Sequence, residues 1–491
     1  MVNLSLPGNP RYQPKPLVKH FGYDNLAGFI VMVETATLRT LAEIGVIPAD
    51  DIALLTPELE EKLVKITTTE MDRVEKTDTP EFGKKTSHDI RALVRIMQSI
   101  LPPPLRRWVH VPLTSYDALD TARSLQFVRA HYEIVQPLIV EVVKLFIAKI
   151  ERYANTVQIG RTHGQHALPI TVGFWLATIL NRILMNTEYM SLFAELFVGK
   201  ISGAVGACNA QVGLGISKLC GAETFEQRVL KKLGLLPASI STQILPPEYT
   251  AYYLFSATML TAAFGQFGTD GRNLMRTEIG EISEPFDVGQ VGSSTMAAKR
   301  NPFNLEGLVG AWLKTKNEFG KVFDTLISEH QRDLVGSSPA RDFPTIIVNL
   351  VLQLSTLLRK GDDGKSFLER ISVDEEACRR NLAIQGDFIL AEPIYIALQM
   401  AGFKGDAHEL VNHTAIPYAT KHKVPLMVAV AAIAENDNVL AEILTRIPPE
   451  VTELLHKPES YVGCAAEKAL AICENARDYL RDVADPTSDR R

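Results

Sequence analysis

Cysteine is scarce and unpatterned. Five residues, Cys208, Cys220, Cys378, Cys464 and Cys473, are spread over 491 positions, with no CxxC pair and no histidine at zinc spacing. That excludes a disulfide framework and a structural zinc module, and the thiols read as buried small hydrophobes of a reducing cytosol. Long apolar runs are missing too. The longest, residues 167–180, is interrupted by Pro169 and Thr171 and ends at Asn181-Arg182, short of the roughly 20 residues that span a bilayer. Residues 1–7 lack a basic flank followed by an apolar core, so no secretory signal is expected. A cytoplasmic protein without a membrane partner follows. Neither sign of charge dominates: 51 Lys and Arg against 57 Asp and Glu leave a net charge of −6. No field is available to hold nucleic acid, which is set aside as a partner.

What is present is bulk. At 491 residues and 46% hydrophobic content, the chain exceeds one ordinary core and suggests about three domains. A helical pattern over residues 26–45 and another over 57–68 belong to the first, which Pro102-Pro103-Pro104 breaks near its end. Beyond Asp117 come stretches poor in Pro and Gly, at 120–153, 169–200, 248–278 and 303–329, long for helices in globular proteins. A polar turn cluster, Lys360-Gly361-Asp362-Asp363-Gly364, marks the next boundary. The expected division is 1–116, 117–364 and 365–491. Clear strand alternation is absent, so the fold class is all-α. The pattern over 249–275 is apolar nearly all round (Tyr252, Tyr253, Leu254, Phe255, Met259, Leu260, Phe264, Phe267), and such a helix is expected to be buried on every side. A bundle shared between subunits would bury it.

The densest chemistry lies in Gly292-Ser293-Ser294-Thr295-Met296-Ala297-Ala298-Lys299-Arg300-Asn301-Pro302. It joins two serine hydroxyls, a cation and an amide, and Pro302 suits the first turn of a following helix, whose N-terminus is a natural anion site. Four other segments carry polar groups in suggestive patterns. Thr162-His163-Gly164-Gln165-His166 puts a hydroxyl and two imidazoles before a long helix; by itself this is a surface turn or a cap, and zinc has no carboxylate or thiol nearby to complete it. Ser87-His88-Asp89 and Thr114-Ser115 precede helical patterns and are by themselves ordinary caps. Arg332 through Arg341 holds two guanidiniums with Ser337 and Ser338, a set able to grip a phosphate, though Arg-Asp pairs are usually a solvated face. The glycines between 203 and 215 lack a following Lys-hydroxyl pair and read as close packing rather than a nucleotide loop.

The 292–302 run resembles the signature loop of the fumarase/aspartase superfamily. Four further segments are similar to motifs of its adenylosuccinate lyase family: T-x-H-D at 86–89, T-S-x-D-x-x-D-T-A at 114–122, T-H-x-Q-x-A-x-P at 162–169 and R-D-L-x-x-S-S-x-x-R at 332–341. Arg11-Tyr12 looks like that family's nucleotide-contacting pair. The resemblance implies a three-domain fold, a homotetramer whose central bundle has twenty helices, active sites shared between subunits, a small-molecule nucleotide substrate and no cofactor. It also implies roles: Ser293 as catalytic base, His163 as general acid, and Lys299 and Asn301, beside Ser294, on the fumaryl carboxylates. Gln243 would bind substrate and Glu306 would stand near the catalytic histidine. Ser87, His88, Asp89, Thr114, Ser115 and Thr162 would line the substrate, with Arg332, Ser337, Ser338 and Arg341 on its phosphate. The chain departs from the family pattern at Ala297-Ala298, at Gly307 and at Pro246-Pro247-Glu248-Tyr249. Another lyase of the superfamily, such as argininosuccinate lyase or carboxymuconate cycloisomerase, and a catalytically silent structural relative remain the alternatives.

Overall fold

The stretches poor in proline and glycine form long helices, among them Asn25–Glu43, Gln136–Arg152, Val172–Glu195, Glu248–Leu274 and Phe303–Phe323. They are seen in a computed structural model that describes residues 13–484 apart from 288, 290, 291, 293, 294, 297 and 298. The fold is dominantly helical, with three two-stranded sheets among the described residues.

Two compact units are assembled from interleaved segments. One comprises the chain up to Glu141, Met185–Gly265 and Gly307–Leu358; the other comprises Val142–Leu184, Gln266–Glu306 and the chain from Arg359 on. The first unit is centred on an aromatic cluster. Phe127 lies 5.2 Å from Phe21 and 5.9 Å from Phe197, and Phe197 lies 5.2 Å from Tyr253, ring centre to ring centre. Burying each such side chain contributes about 1.5–3 kcal/mol. In the second unit Phe267 packs between Phe146 and Trp175. Leu390, Ile394, Leu398, Val411, Leu426, Val430 and Leu440 build the core of its C-terminal helices, together with Ile159.

Several sequence expectations change in detail. The helix expected from residue 120 starts at Ser115, because the Asp117 carboxylate accepts the Thr114 N–H at 2.8 Å and so satisfies a donor at the helix start. It runs to Ala130, passes through a π-helical turn at His131–Val135, and goes on as Gln136–Arg152. The helix expected from residue 169 begins only at Val172, since Gln165–Thr171 is a strand paired antiparallel with Val157–Thr162. Along Glu248–Leu274, Tyr253, Leu254, Leu260 and Phe264 are buried as expected, but Tyr252 and Phe255 are 53% and 47% exposed. Within the single chain that helix is therefore uncovered along a stripe of its first half, at Tyr252, Phe255 and Met259, and carries no exposed residue from Leu260 to Asp270. The thiols of Cys220, Cys378 and Cys473 are buried, whereas Cys464 is exposed, contrary to the expectation for all five.

Candidate active site

In the second unit the Val157–Thr162 and Gln165–Thr171 strands form a hairpin whose tip is His163-Gly164. Both residues have positive φ, 53° and 75°, the backbone of a two-residue turn matched to strand twist. Histidine tolerates this region better than most side chains, and glycine adopts it freely. His163 is thereby lifted to an exposed tip, with Thr162 paired to Gln165 beside it.

The hairpin is fixed below the tip by Glu281, which is fully buried. Its carboxylate accepts two hydrogen bonds from Arg161, at 2.7 and 3.0 Å, one from Gln158 at 2.8 Å and one from Asn381 at 2.8 Å. Four donors on one carboxylate, two of them a guanidinium fork, offset the cost of burying its charge. The Asn381 amide also donates to the Ile279 carbonyl at 2.8 Å, which ties the chain leaving Glu248–Leu274 to the Glu375–Ala383 helix. His166 stands opposite Arg161 in the register, and its buried Nδ1 has no partner among the described residues. Burial, then the neighbouring Arg161 charge, lowers its pKa.

The signature loop belongs to the same unit. Ser293, Ser294 and Ala297-Ala298 lie outside the described residues. At its two ends the Asn301 side-chain amide donates to the Gly292 carbonyl at 2.9 Å. A Cβ on Gly292 would stand 2.1 Å from the Lys299 carbonyl oxygen, so the close approach of the backbone at these two positions requires glycine. Lys299 and Asn301 are thus brought together at the loop exit. The helix that follows, Phe303–Phe323, differs from expectation: its N-terminus is already occupied. Glu284 accepts the N–H groups of Asn304 and Leu305, at 3.3 and 2.7 Å, and the Asn304 side-chain amide at 2.7 Å. An internal carboxylate therefore takes the anion position of that helix dipole. Glu306 is exposed in the first turn.

The first unit holds a separate cluster. Asp117, fully buried, pairs with the equally buried Lys200. It also accepts the N–H groups of Ser202 and Gly203, each at 3.1 Å. This pair sets the Thr114-Ser115 turn against the 200–203 loop. His88 Nε2 lies 3.5 Å from the Ser115 hydroxyl, and its Nδ1 is 3.2 Å from Asp89. The Arg332 Nη1 donates to the Gln243 side-chain oxygen at 2.8 Å, and the Arg332 guanidinium stacks 3.5 Å above the Tyr116 ring. Tyr116 and Ser337 hydroxyls are 3.1 Å apart. Upstream, His110 Nδ1 is 2.7 Å from the buried Glu34 carboxylate, whose other oxygen accepts the His110 N–H at 2.9 Å.

The structure thus joins Gln243, Arg332 and Ser337, and separately Ser115 with His88 and Asp89. Ser87, with φ of 51°, precedes His88 in the connecting turn. Ser338 and Arg341 are exposed on the next turn. Arg11 and Tyr12 lie outside the described residues. Sequence reasoning missed Tyr116, Asp117, Lys200, Glu281 and Glu284. A lysine at the end of the apolar Phe197-Val198-Gly199 run was the one available signal for a buried ion pair. Among the described residues no group of three or more His, Cys, Asp or Glu side chains could hold a metal ion.

Residues 15–314 match the Lyase family model. The chain is 32% identical to the adenylosuccinate lyase of Pyrococcus horikoshii, covering 96% of this chain and 98% of that protein. It is 30% identical to the adenylosuccinate lyase of Methanocaldococcus jannaschii, covering 93% of each. The 3-carboxy-cis,cis-muconate lactonizing enzyme of Pseudomonas putida, a solved structure, shares the fold at a TM-score of 0.75 with 21% identity, covering 95% of this chain and 98% of its own.

Proposed function

Because the chain belongs to the lyase family that includes the adenylosuccinate lyases, we propose that it cleaves adenylosuccinate to AMP and fumarate, and releases fumarate in the same way from the succinylated aminoimidazole carboxamide ribotide. A base removes a proton from the succinyl carbon β to the nitrogen, the carbon–nitrogen bond breaks, and the nitrogen leaves with a proton from an acid. Ser293 is the base and His163 the acid. Lys299 and Asn301, with Ser294, hold the fumaryl carboxylates and stabilise the charge that builds on them in the transition state. Thr162 lines the substrate beside the acid, and Glu306 stands near it.

The nucleotide end falls to the other cluster. Ser87, His88, Asp89, Thr114, Ser115 and Gln243 line the substrate, Arg11 and Tyr12 contact the nucleotide, and Arg332, Ser337, Ser338 and Arg341 hold its phosphate. The observation that carries this reading is the Arg332 group. Its guanidinium lies on a ring and donates to an amide oxygen, and although the Asp120 carboxylate is near enough to feel its charge, no carboxylate among the described residues hydrogen-bonds it, so its other in-plane N–H groups are left for an anion.

A homotetramer with sites completed between subunits belongs to the same reading, as do the cytoplasmic location and the three regions bounded near residues 116 and 364. The exposed apolar side chains of Glu248–Leu274, with Leu313 and Phe323 on Phe303–Phe323, support it. Sedimentation of the purified protein would test the assembly. No helix among the described residues is long and apolar enough to cross a membrane.

Fumarate release from adenylosuccinate, argininosuccinate and the imidazole ribotide, assayed in parallel, tests the activity. Turnover of the two nucleotides alone is expected. Release from argininosuccinate alone, or from none of the three, would overturn it.

A further inference from the structure

Tyr116 occupies the variable position of the T-S-x-D pattern and was assigned no role by the sequence. Its side chain is only 9% exposed, and two contacts join it to the 332–337 segment. The ring lies under the Arg332 guanidinium at 3.5 Å, and the hydroxyl stands 3.1 Å from that of Ser337. One rigid side chain therefore fixes the two groups given above to the phosphate, five residues apart on an irregular stretch of chain.

The manner of holding matters. A carboxylate partner would take two of the guanidinium's in-plane donors and cancel its charge. An aromatic ring holds the group by its face and leaves the in-plane N–H groups to other partners. Gln243 takes Nη1 at 2.8 Å with a neutral oxygen. The Nε of Arg332 is buried and has no partner among the described residues. A buried donor left unmade is costly, so an incoming anion that satisfies it gains more than an equivalent contact at the surface. The helix start that carries Tyr116 is itself rigid, because Asp117, the next residue, is pinned by Lys200, Ser202 N–H and Gly203 N–H.

We propose that Tyr116 is a positioning residue that presents Arg332 and Ser337 to the phosphate of the substrate and so sets the preference for a nucleotide over the corresponding nucleoside. The proposal rests on the phosphate reading given above. Tyr116 touches the reacting atoms nowhere; it acts through Arg332 and Ser337.

The test compares kcat/KM for adenylosuccinate with kcat/KM for its dephosphorylated nucleoside, in the full-length protein. Tyr116→Leu, which removes both ring and hydroxyl, should lower the ratio of the two about tenfold, carried by KM for the nucleotide. Tyr116→Phe keeps the ring and should lower it about threefold. Combining Y116F with Ser337→Ala should then add less than the sum of the two single effects, because both remove one hydrogen bond. A merely structural role for Tyr116 would reduce kcat/KM for both substrates by the same factor, leave the ratio untouched and overturn the proposal. If Y116L does not fold, the Y116F/S337A cycle decides: strict additivity overturns it. Arg332→Ala separates this failure from that of the underlying reading. A ratio unchanged in R332A sinks the phosphate assignment itself, whereas a ratio that falls in R332A but not in the Tyr116 variants sinks only the role of Tyr116.

Discussion

Arg161 and Glu281, 120 residues apart in sequence, meet through two hydrogen bonds of 2.7 and 3.0 Å beneath the hairpin that carries His163. Glu281→Gln keeps the size of the group but leaves the Arg161 charge, whose side chain is 14% exposed, without its counter-charge. Removing one member of a buried pair costs about 3–5 kcal/mol, seen as a lower denaturant midpoint. Replacing both residues with methionine should recover only part of that loss, because the Gln158 and Asn381 amides would still be without their shared acceptor. An E281Q protein as stable as the parent would show that the pair does not anchor the hairpin.

His163→Asn and Ser293→Ala probe the chemistry rather than the fold. Asparagine tolerates the positive φ of residue 163, so the turn should survive while the acid is lost. Loss of a general acid or base is expected to lower kcat by about 10²- to 10⁴-fold, with thermal unfolding and sedimentation unchanged. Undiminished fumarate release in either variant would remove that residue from the mechanism.

Acid should weaken the fold through two buried histidines of the first unit. Burial pushes His131 down to about 3 and His20 to about 4 from 6.5. Between those values and 6.5 the unfolded chain binds protons that the folded chain refuses, so stability falls as pH drops below 6.5. His131→Gln should flatten this decline when denaturant midpoints are measured across the window.

His110 works in the opposite sense. Burial lowers its pKa, but the hydrogen bond and charge of Glu34 outweigh this and hold it above 6.5. Its contribution is complete below the unfolded value and is lost as pH rises through the folded one. His110→Gln should therefore be more destabilising in mildly acidic than in mildly alkaline buffer. An equal effect on both sides would mean that the proton is not shared with Glu34.

Lys200→Met strands the Asp117 carboxylate, which holds both the Thr114-Ser115 turn and the 200–203 loop. A cost of about 3–5 kcal/mol is expected, together with a higher KM for adenylosuccinate, because Ser115 and Tyr116 follow that turn. Unfolding curves and steady-state kinetics would check the two effects separately.

What the sequence made legible was what repeats or stands in a compact motif. The long helices show as stretches without proline or glycine, and the polar segments at 86–89, 114–122, 162–169 and 332–341 show as dense local patterns. The hairpin escaped because its two-residue turn uses His163 where asparagine or aspartate is the usual signal, and because Gly160 and Pro169 interrupt its alternation. Tyr116 and Glu281 escaped for another reason. Each owes its place to partners more than 100 residues away, Ser337 for one and Arg161 for the other. The anion site expected at the start of Phe303–Phe323 was the right local inference, overridden by Glu284, a residue nearly twenty positions upstream.

Each compact unit is stitched from three stretches of chain, and the first needs residues as late as Leu358. No contiguous piece of the gene encodes either unit. On the ribosome, at roughly 5–20 residues per second, the stretch ending at Glu141 would wait about 10 to 45 seconds for the stretch ending at Leu358 to be made. The N-terminal helices must spend that interval without the partners that complete their core. Early exposure of their apolar faces makes nascent-chain protection, rather than the stability of the finished molecule, the step at which expression of truncated or split versions should fail.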